Sequence, residues 1–117
     1  METRYLYKGV KGIDERAKAY IEKKLQAIGK LLESILVQEV EIELDKKGKF
    51  RLEVMIETPY HLYRGEETAE SIEASIDLIE GKLRDQILGD KERLETLRRR
   101  GGRSLKKKMV IDEAARF

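Results

Sequence analysis

Residues 36–57 are sufficient to predict a β-hairpin, and they read LVQEVEIELDKKGKFRLEVMIE. On either side of the lysine-rich turn at 46–49, apolar residues alternate with charged ones, which is the period of a strand with one buried face. Matching the buried faces pairs Ile42 with Leu52. The same register sets Glu43 opposite Arg51. The predicted buried face comprises Val40, Ile42, Leu44, Phe50, Leu52, Val54 and Ile56, and the opposite face carries Glu39, Glu41, Glu43, Glu53 and Glu57.

The segment before the hairpin predicts one strand and one helix. Residues 3–8 alternate and are rich in β-forming side chains. Asp14 is suited to be the N-cap of a helix that runs from Glu15 to about Leu32. The apolar residues of this helix recur on one stripe, formed by Ala17, Ile21, Leu25, Ile28 and Leu32.

The segment after the hairpin predicts a short strand and a long helix. Thr58-Pro59 ends the hairpin, and residues 60–64 predict a fourth, shorter strand. A helix is predicted from about Thr68, weakened at Gly81 and Gly89, with Asp90 able to cap a final segment. Its predicted buried stripe consists of Ile72, Ile76, Ile79, Leu83 and Ile87.

The element order therefore predicts an α+β fold, β-α-β-β-β-α, with a four-stranded mixed sheet and two helices packed on one of its faces. The helical pattern ends near residue 97. We expect residues 1–97 to form the folded domain and residues 98–117 to form a basic, flexible tail.

Length and composition restrict the class of protein. The chain has 117 residues and a mass of 13.6 kDa, which suits one domain with one core. It contains no cysteine, 41% of its residues are charged, and no apolar run approaches the ~18 residues of a membrane span. We therefore expect a cytoplasmic protein without disulfides or thiolate metal sites.

Positive charge is concentrated near the C-terminus. Residues 1–81 carry 13 basic and 17 acidic side chains, whereas residues 82–108 carry 11 basic and 4 acidic ones. This asymmetry favours an anionic partner, first of all nucleic acid. The candidate phosphate-binding residues are Lys23, Lys24, Lys30, Lys82, Arg84, Lys91, Arg93, Arg98, Arg99, Arg100 and Arg103.

The sequence offers little for catalysis. His61 is the single histidine, and none of the four serines lies in a nucleophile motif. No glycine-rich loop joins a strand to a helix, and the glutamates of the hairpin lack the spacing of a calcium loop. We predict a protein that is not an enzyme and that uses no metal, cofactor or small-molecule substrate.

Two local strings resemble the ribosome hibernation-promoting factor family, whose members are also called ribosome-associated inhibitors or sigma-54 modulation proteins. Residues 19–25 (AYIEKKL) are similar to the core of that family's first helix. Residues 75–78 (SIDL), followed by Lys82-Leu83 and Gln86, are similar to its second-helix signature. The resemblance extends from residue 2 to about residue 97.

The resemblance implies a cytosolic factor that binds the small ribosomal subunit where messenger RNA and transfer RNA would lie, and that inhibits translation. It also implies that basic residues on the two helices contact ribosomal RNA, with which Lys24, Lys30, Lys82 and Lys91 agree. Ala27, Asp85 and Gly89 depart from positions that are usually basic in the family. The chain resembles the short form, without the long form's dimerisation domain, so we expect a monomer off the ribosome.

Two other functions are compatible with parts of the pattern. In a double-stranded RNA-binding module, strands are also followed by a helix. Such modules carry lysines at the start of that helix, where this chain has the acidic stretch 66–70 (EETAE). A protein-interaction module would instead use the acidic face of the sheet to bind a basic partner, such as a transcription factor.

Overall fold

A computed structural model describes residues 2–111 of the chain, with the side chains of residues 2–93. It confirms the α+β class and the predicted order of elements. The elements are β1 (Arg4–Lys8), α1 (Glu15–Gly29), β2 (Val37–Leu44), β3 (Phe50–Glu57), β4 (Leu62–Ala69) and α2 (Ile72–Ile111).

The four strands form one mixed sheet in the order β1-β2-β3-β4. β1 is parallel to β2, and the two other pairings are antiparallel. The predicted hairpin register is confirmed, because Ile42 pairs with Leu52 and Glu43 with Arg51. The inner face of the hairpin is therefore apolar from Val40 to Leu44 and from Phe50 to Ile56.

One core lies between the inner face of the sheet and the helices. Ile42, Leu52 and Ile56 of the sheet are fully buried, and both helices add their predicted stripes to the same cluster. Because neither helix packs on the outer face, that face of the sheet stays open, as predicted. The buried helical residues are Ala17, Ile21, Leu25 and Ile28 of α1 and Ile72, Ile76, Ile79, Leu83 and Ile87 of α2.

The start of α1 was predicted correctly, but its end was placed too late. The Asp14 side chain accepts a hydrogen bond from the Ala17 N–H at 2.7 Å, as an N-cap does. The helix ends at Gly29, and Lys30 is its C-cap. Leu32 is half-buried against the core although it lies beyond the helix, so its apolar character reflects packing rather than helical periodicity.

The predicted boundaries between β4 and α2 were wrong. β4 runs from Leu62 to Ala69 instead of ending near residue 64, and α2 begins at Ile72 instead of Thr68. Gly65 lies inside β4, where a glycine weakens the strand pattern of the sequence. In the structure Gly65 faces α2, where a Cβ would lie 3.2 Å from Cγ2 of Ile79, so its small size lets the helix approach.

The backbone of α2 is helical without interruption to Ile111, across the predicted weak points at Gly81 and Gly89, across the predicted cap at Asp90, and beyond Arg98. The chain divides into two compact units, Met1–Ile87 and Leu88–Phe117. The flexibility of residues 98–117 stays a prediction, and residues 112–117 of that segment lie outside the described residues.

Candidate nucleic-acid interface

Helix α1 presents a row of cations on its solvent face. Arg16, Lys23 and Lys30 follow one another at intervals of seven residues and are all exposed. Two helical turns separate successive members, which places their Cα atoms roughly 10 Å apart along the axis. The spacing of seven keeps these residues at nearly the same angle around the helix. That angle is roughly opposite the buried stripe of α1.

No carboxylate lies within ion-pair distance of Arg16, Lys23 or Lys30 among the side chains of residues 2–93. By contrast, the cations of the strands all have a carboxylate partner. We call Arg16, Lys23 and Lys30 the α1 cation row. Lys23 and Lys30 were predicted as site residues, whereas Arg16 was not. Its heptad spacing from Lys23 was the signal that could have identified it.

Lys24, the neighbour of Lys23, has a different environment. Its Nζ lies 3.3 Å from Oδ1 of Asp77 and 3.6 Å from Oε1 of Glu80, both on α2. Tyr20 joins the same group, because its hydroxyl donates to Oδ1 of Asp77 at 2.7 Å. The hydrogen bond to Asp77 raises the pKa of Lys24 above its usual 10.5, so the ammonium stays charged. We call Tyr20, Lys24, Asp77 and Glu80 the interhelical clasp.

The predicted site residues on the described part of α2 are also paired. Lys82 forms an ion pair with Glu67 and donates to the backbone carbonyl of Glu66 at 3.2 Å. Arg84 lies 3.3 Å from Glu80, one turn before it on the same helix. Lys82 thus contacts β4, whereas Lys24 contacts the flank of α2 that faces α1. The structure does not bring Lys24 and Lys82 together in one groove.

The remaining predicted site residues belong to the second unit. Lys91 is exposed, and Arg93 lies 3.2 Å from Oδ1 of Asp90. Arg98, Arg99, Arg100 and Arg103 lie on the helical backbone of α2, and their side chains are outside the described set.

The open face of the sheet is an array of ion pairs. Arg51 donates to Glu43 at 2.8 Å and also bonds to Glu41 and Glu66, which connects three strands. The bond to Glu43 is the main cause of a raised pKa of Arg51. Arg4, Lys8 and Arg64 pair with Glu39, Glu41 and Glu53 respectively. The predicted glutamates do line this face, but basic neighbours neutralise most of them, which weakens the case for docking a basic protein there.

Other kinds of site find little support within the part of the chain that the structure describes. No group of three His, Cys, Asp or Glu side chains there is placed to hold a metal ion. No helix among these residues is long and apolar enough to cross a membrane. His61 lies in the turn before β4, where its backbone bonds to Thr58.

The fold and the surface together define a class: a small α+β domain with a β-α-β-β-β-α order and a cationic helix on the covered side of its sheet. The chain belongs to the family described as Sigma 54 modulation protein / S30EA ribosomal protein, whose model matches residues 7–95. The resemblance found in the sequence is thereby confirmed, and the chain is a ribosome-associated protein.

Two solved structures are similar to the chain. The N-terminal domain of Protein Y from Thermus thermophilus is 29% identical with a TM-score of 0.64, and the match covers 74% of this chain and 96% of that one. A ribosomal subunit interface protein from Coxiella burnetii is 19% identical with a TM-score of 0.66, and the match covers 79% and 99% of the two chains. The second likeness concerns the fold alone. None of the curated protein sequences matches this chain.

Proposed function

We propose that this protein binds the small ribosomal subunit through its ribosomal RNA, occupies the channel used by messenger RNA and transfer RNA, and keeps the ribosome inactive. The observation that carries the proposal is the α1 cation row. Its three side chains are exposed and have no acidic partner among the described residues, so they can contact phosphates without first breaking an ion pair. Family membership supplies the ribosome as the partner.

The row combines two properties of an RNA-binding surface. Phosphate contacts supply affinity that does not depend on sequence, and a rigid helix supplies a fixed shape against which folded RNA can fit. The buried side of α1, from Ala17 to Ile28, fixes this helix on the sheet. The positions of the three cations are therefore set before binding, which lowers the entropic cost of forming the complex.

The other predicted contacts have secondary roles in this proposal. Lys24, Lys82 and Arg84 would have to exchange a carboxylate for a phosphate, which offsets part of the gain. Lys24 acts first as a link between the helices. Lys91, Arg93, Arg98, Arg99, Arg100 and Arg103 would add contacts from the second unit. The protein would act in the cytoplasm as a monomer, without an enzymatic step, a cofactor or a membrane partner.

Displacement of transfer RNA tests this function. Small subunits programmed with messenger RNA and labelled transfer RNA are titrated with the protein, and retained transfer RNA is measured by filter binding. The proposal predicts release of transfer RNA in step with binding of the protein to the subunit. Full retention of transfer RNA on subunits that have bound the protein would contradict occupation of the channel, and binding only to large subunits would contradict the choice of partner.

A further inference from the structure

A second group of unpaired cations lies at one end of the sheet. Lys46, Lys47 and Lys49 belong to the turn between β2 and β3, and all three are exposed. As with the α1 cation row, no carboxylate among the side chains of residues 2–93 lies within ion-pair distance of them. We call these three residues the hairpin lysines.

The absence of carboxylate partners distinguishes the hairpin lysines from the cations of the strands. Every lysine and arginine on the open face of the sheet has a carboxylate partner, as do Lys82 and Arg84 of α2. The nearest strand glutamate, Glu43, is engaged by Arg51. The fold therefore neutralises cations along its strands and leaves those of the turn available.

The turn holds the hairpin lysines on a defined frame. The one acidic side chain of the turn, Asp45, accepts hydrogen bonds from the backbone N–H groups of Lys47 and Lys49 at 2.8 and 2.9 Å. Gly48 has a φ of +82°, and its N–H donates to the Asp45 carbonyl at 3.1 Å. Oδ1 of Asp45 thus fixes the backbone of the turn, and no lysine ammonium of the turn lies within ion-pair distance of this carboxylate.

The loop from β1 to α1 places one more cation at this end of the sheet. Gly9, with a φ of +75°, lies against the backbone of Leu44, the last residue of β2, so close that a Cβ there would lie 2.6 Å from the Leu44 carbonyl oxygen. Lys11 follows two residues later and is exposed. The loop from β1 to α1 therefore contributes to the same positive end of the domain.

We propose that the hairpin lysines form a second phosphate-binding surface for RNA, in addition to the α1 cation row. This rests on the proposed function in taking ribosomal RNA as the partner. Lysine suits the role because its ammonium is a compact charge on a flexible stem, which binds phosphate without a fixed geometry. The turn exposes no aromatic or aliphatic side chain of the kind that anchors protein interfaces, so an acidic protein is the less suitable partner.

The test compares two variants of equal charge change in the full chain. Lys46→Gln/Lys47→Gln neutralises the proposed surface, and Arg4→Gln/Arg64→Gln neutralises two exposed arginines on the open sheet face. Affinity for small ribosomal subunits and for a labelled RNA duplex is measured across a salt titration. Each lost phosphate contact lowers the slope of log K against log salt by about 0.7 to 0.9, so the hairpin variant should lose roughly 1.4 to 1.8 and the control close to nothing. An unchanged thermal midpoint confirms that both variants fold.

The outcomes separate this inference from the proposed function. Equal slopes for wild type and the hairpin variant on both probes, or equal losses in the two variants, would overturn the inference and leave the α1 cation row intact. Duplex binding with the predicted slope change, but no binding to small subunits, would sustain the hairpin surface while removing the proposed function. The same slope change on anionic lipid vesicles, without one on RNA, would assign the surface to membranes and contradict the inference.

Discussion

Gly9 and Gly48 both have positive φ angles, but only one of them lies against another strand. A Cβ at Gly48 would have nothing within 4 Å, whereas at Gly9 it would collide with the Leu44 carbonyl oxygen. The two positions therefore separate backbone strain from steric overlap. Gly9 is needed for both reasons, because it lets the end of β1 approach β2 closely.

Alanine at the two glycines should have unequal effects on stability. Gly48→Ala is expected to cost about 1–2 kcal/mol, the cost of a left-handed backbone for a residue with a Cβ. Gly9→Ala should cost at least ~1 kcal/mol more, because relieving the overlap disturbs the pairing of β1 with β2. Chemical denaturation of both variants measures the difference. Equal losses would show that Gly9 is required only for its φ angle.

The interhelical clasp predicts a loss of stability in alkali. Hydrogen bonds to Asp77 raise the pKa values of Tyr20 and Lys24 above their usual 10.0 and 10.5. Because the folded protein holds both protons to a higher pH than the unfolded chain, their contribution is complete below about pH 10. It is lost as the pH rises through the raised values.

Asp77→Asn should flatten this alkaline loss, since the amide is a poorer acceptor for both groups. Unfolding free energies at several pH values above and below 10 provide the measurement. Asp85→Asn is the matched control, because Asp85 is exposed on the same helix without a partner among the described side chains. A profile for Asp77→Asn that coincides with those of wild type and control would exclude the clasp as the cause.

At the level of secondary-structure elements, the periodicity of the apolar residues predicted the features that follow from an element having one buried face. The hairpin register and the stripes of α1 and α2 follow from alternation and from the helical repeat, and all are present. The boundary between β4 and α2 does not follow, because Gly65 and the acidic residues after it suppress the strand signal. What extends β4 is pairing with β3 up to Ala69, opposite Phe50, and that is a tertiary contact.

The candidate site shows the same division. The sequence predicted Lys23, Lys24 and Lys30 alike as site residues, and it could not tell the paired Lys24 from its unpaired neighbour Lys23. The distinction arises because 100° of helix rotation turns Lys24 towards Asp77 and Glu80 of α2. Lys24 and its carboxylate partners lie about 50 residues apart in the sequence, so their contact depends on how the two helices pack. No local sequence pattern encodes that packing.

Burial of the α2 stripe predicts a large loss of folding stability for one leucine-to-alanine substitution and a small loss for another on the same helix. Leu83 is fully buried, so Leu83→Ala should cost about 2–5 kcal/mol. Leu78 on the same helix is 51% exposed, and Leu78→Ala should stay within about 0.5–1 kcal/mol of wild type. Denaturant unfolding tests both variants. A loss below half a kcal/mol for Leu83→Ala, on the order of a surface change, would contradict the packing of α2 on the sheet.

At the level of the whole molecule, the C-terminal segment adds positive charge to a domain that carries more acidic than basic side chains, 21 against 17 in residues 1–97. Residues 98–108 contain seven basic and no acidic side chains. A chain ending at Leu97 should bind ribosomes more weakly at low salt, and its affinity should fall less steeply with salt, by about 0.7 to 0.9 in slope for each lost contact. Superimposable curves for the shortened and full-length proteins would mean that the segment makes no phosphate contact.

The most direct test of the α1 cation row is a comparison of three proteins on purified small ribosomal subunits at one low salt concentration. Lys23→Gln/Lys30→Gln removes two members of the row, and Arg4→Gln/Arg64→Gln removes the same charge from the open sheet face. The proposed function predicts that the first variant binds at least about tenfold more weakly than wild type, or ~1.4 kcal/mol, while the second stays within about twofold. Equal affinities of the two variants, or wild-type binding by Lys23→Gln/Lys30→Gln, would contradict it.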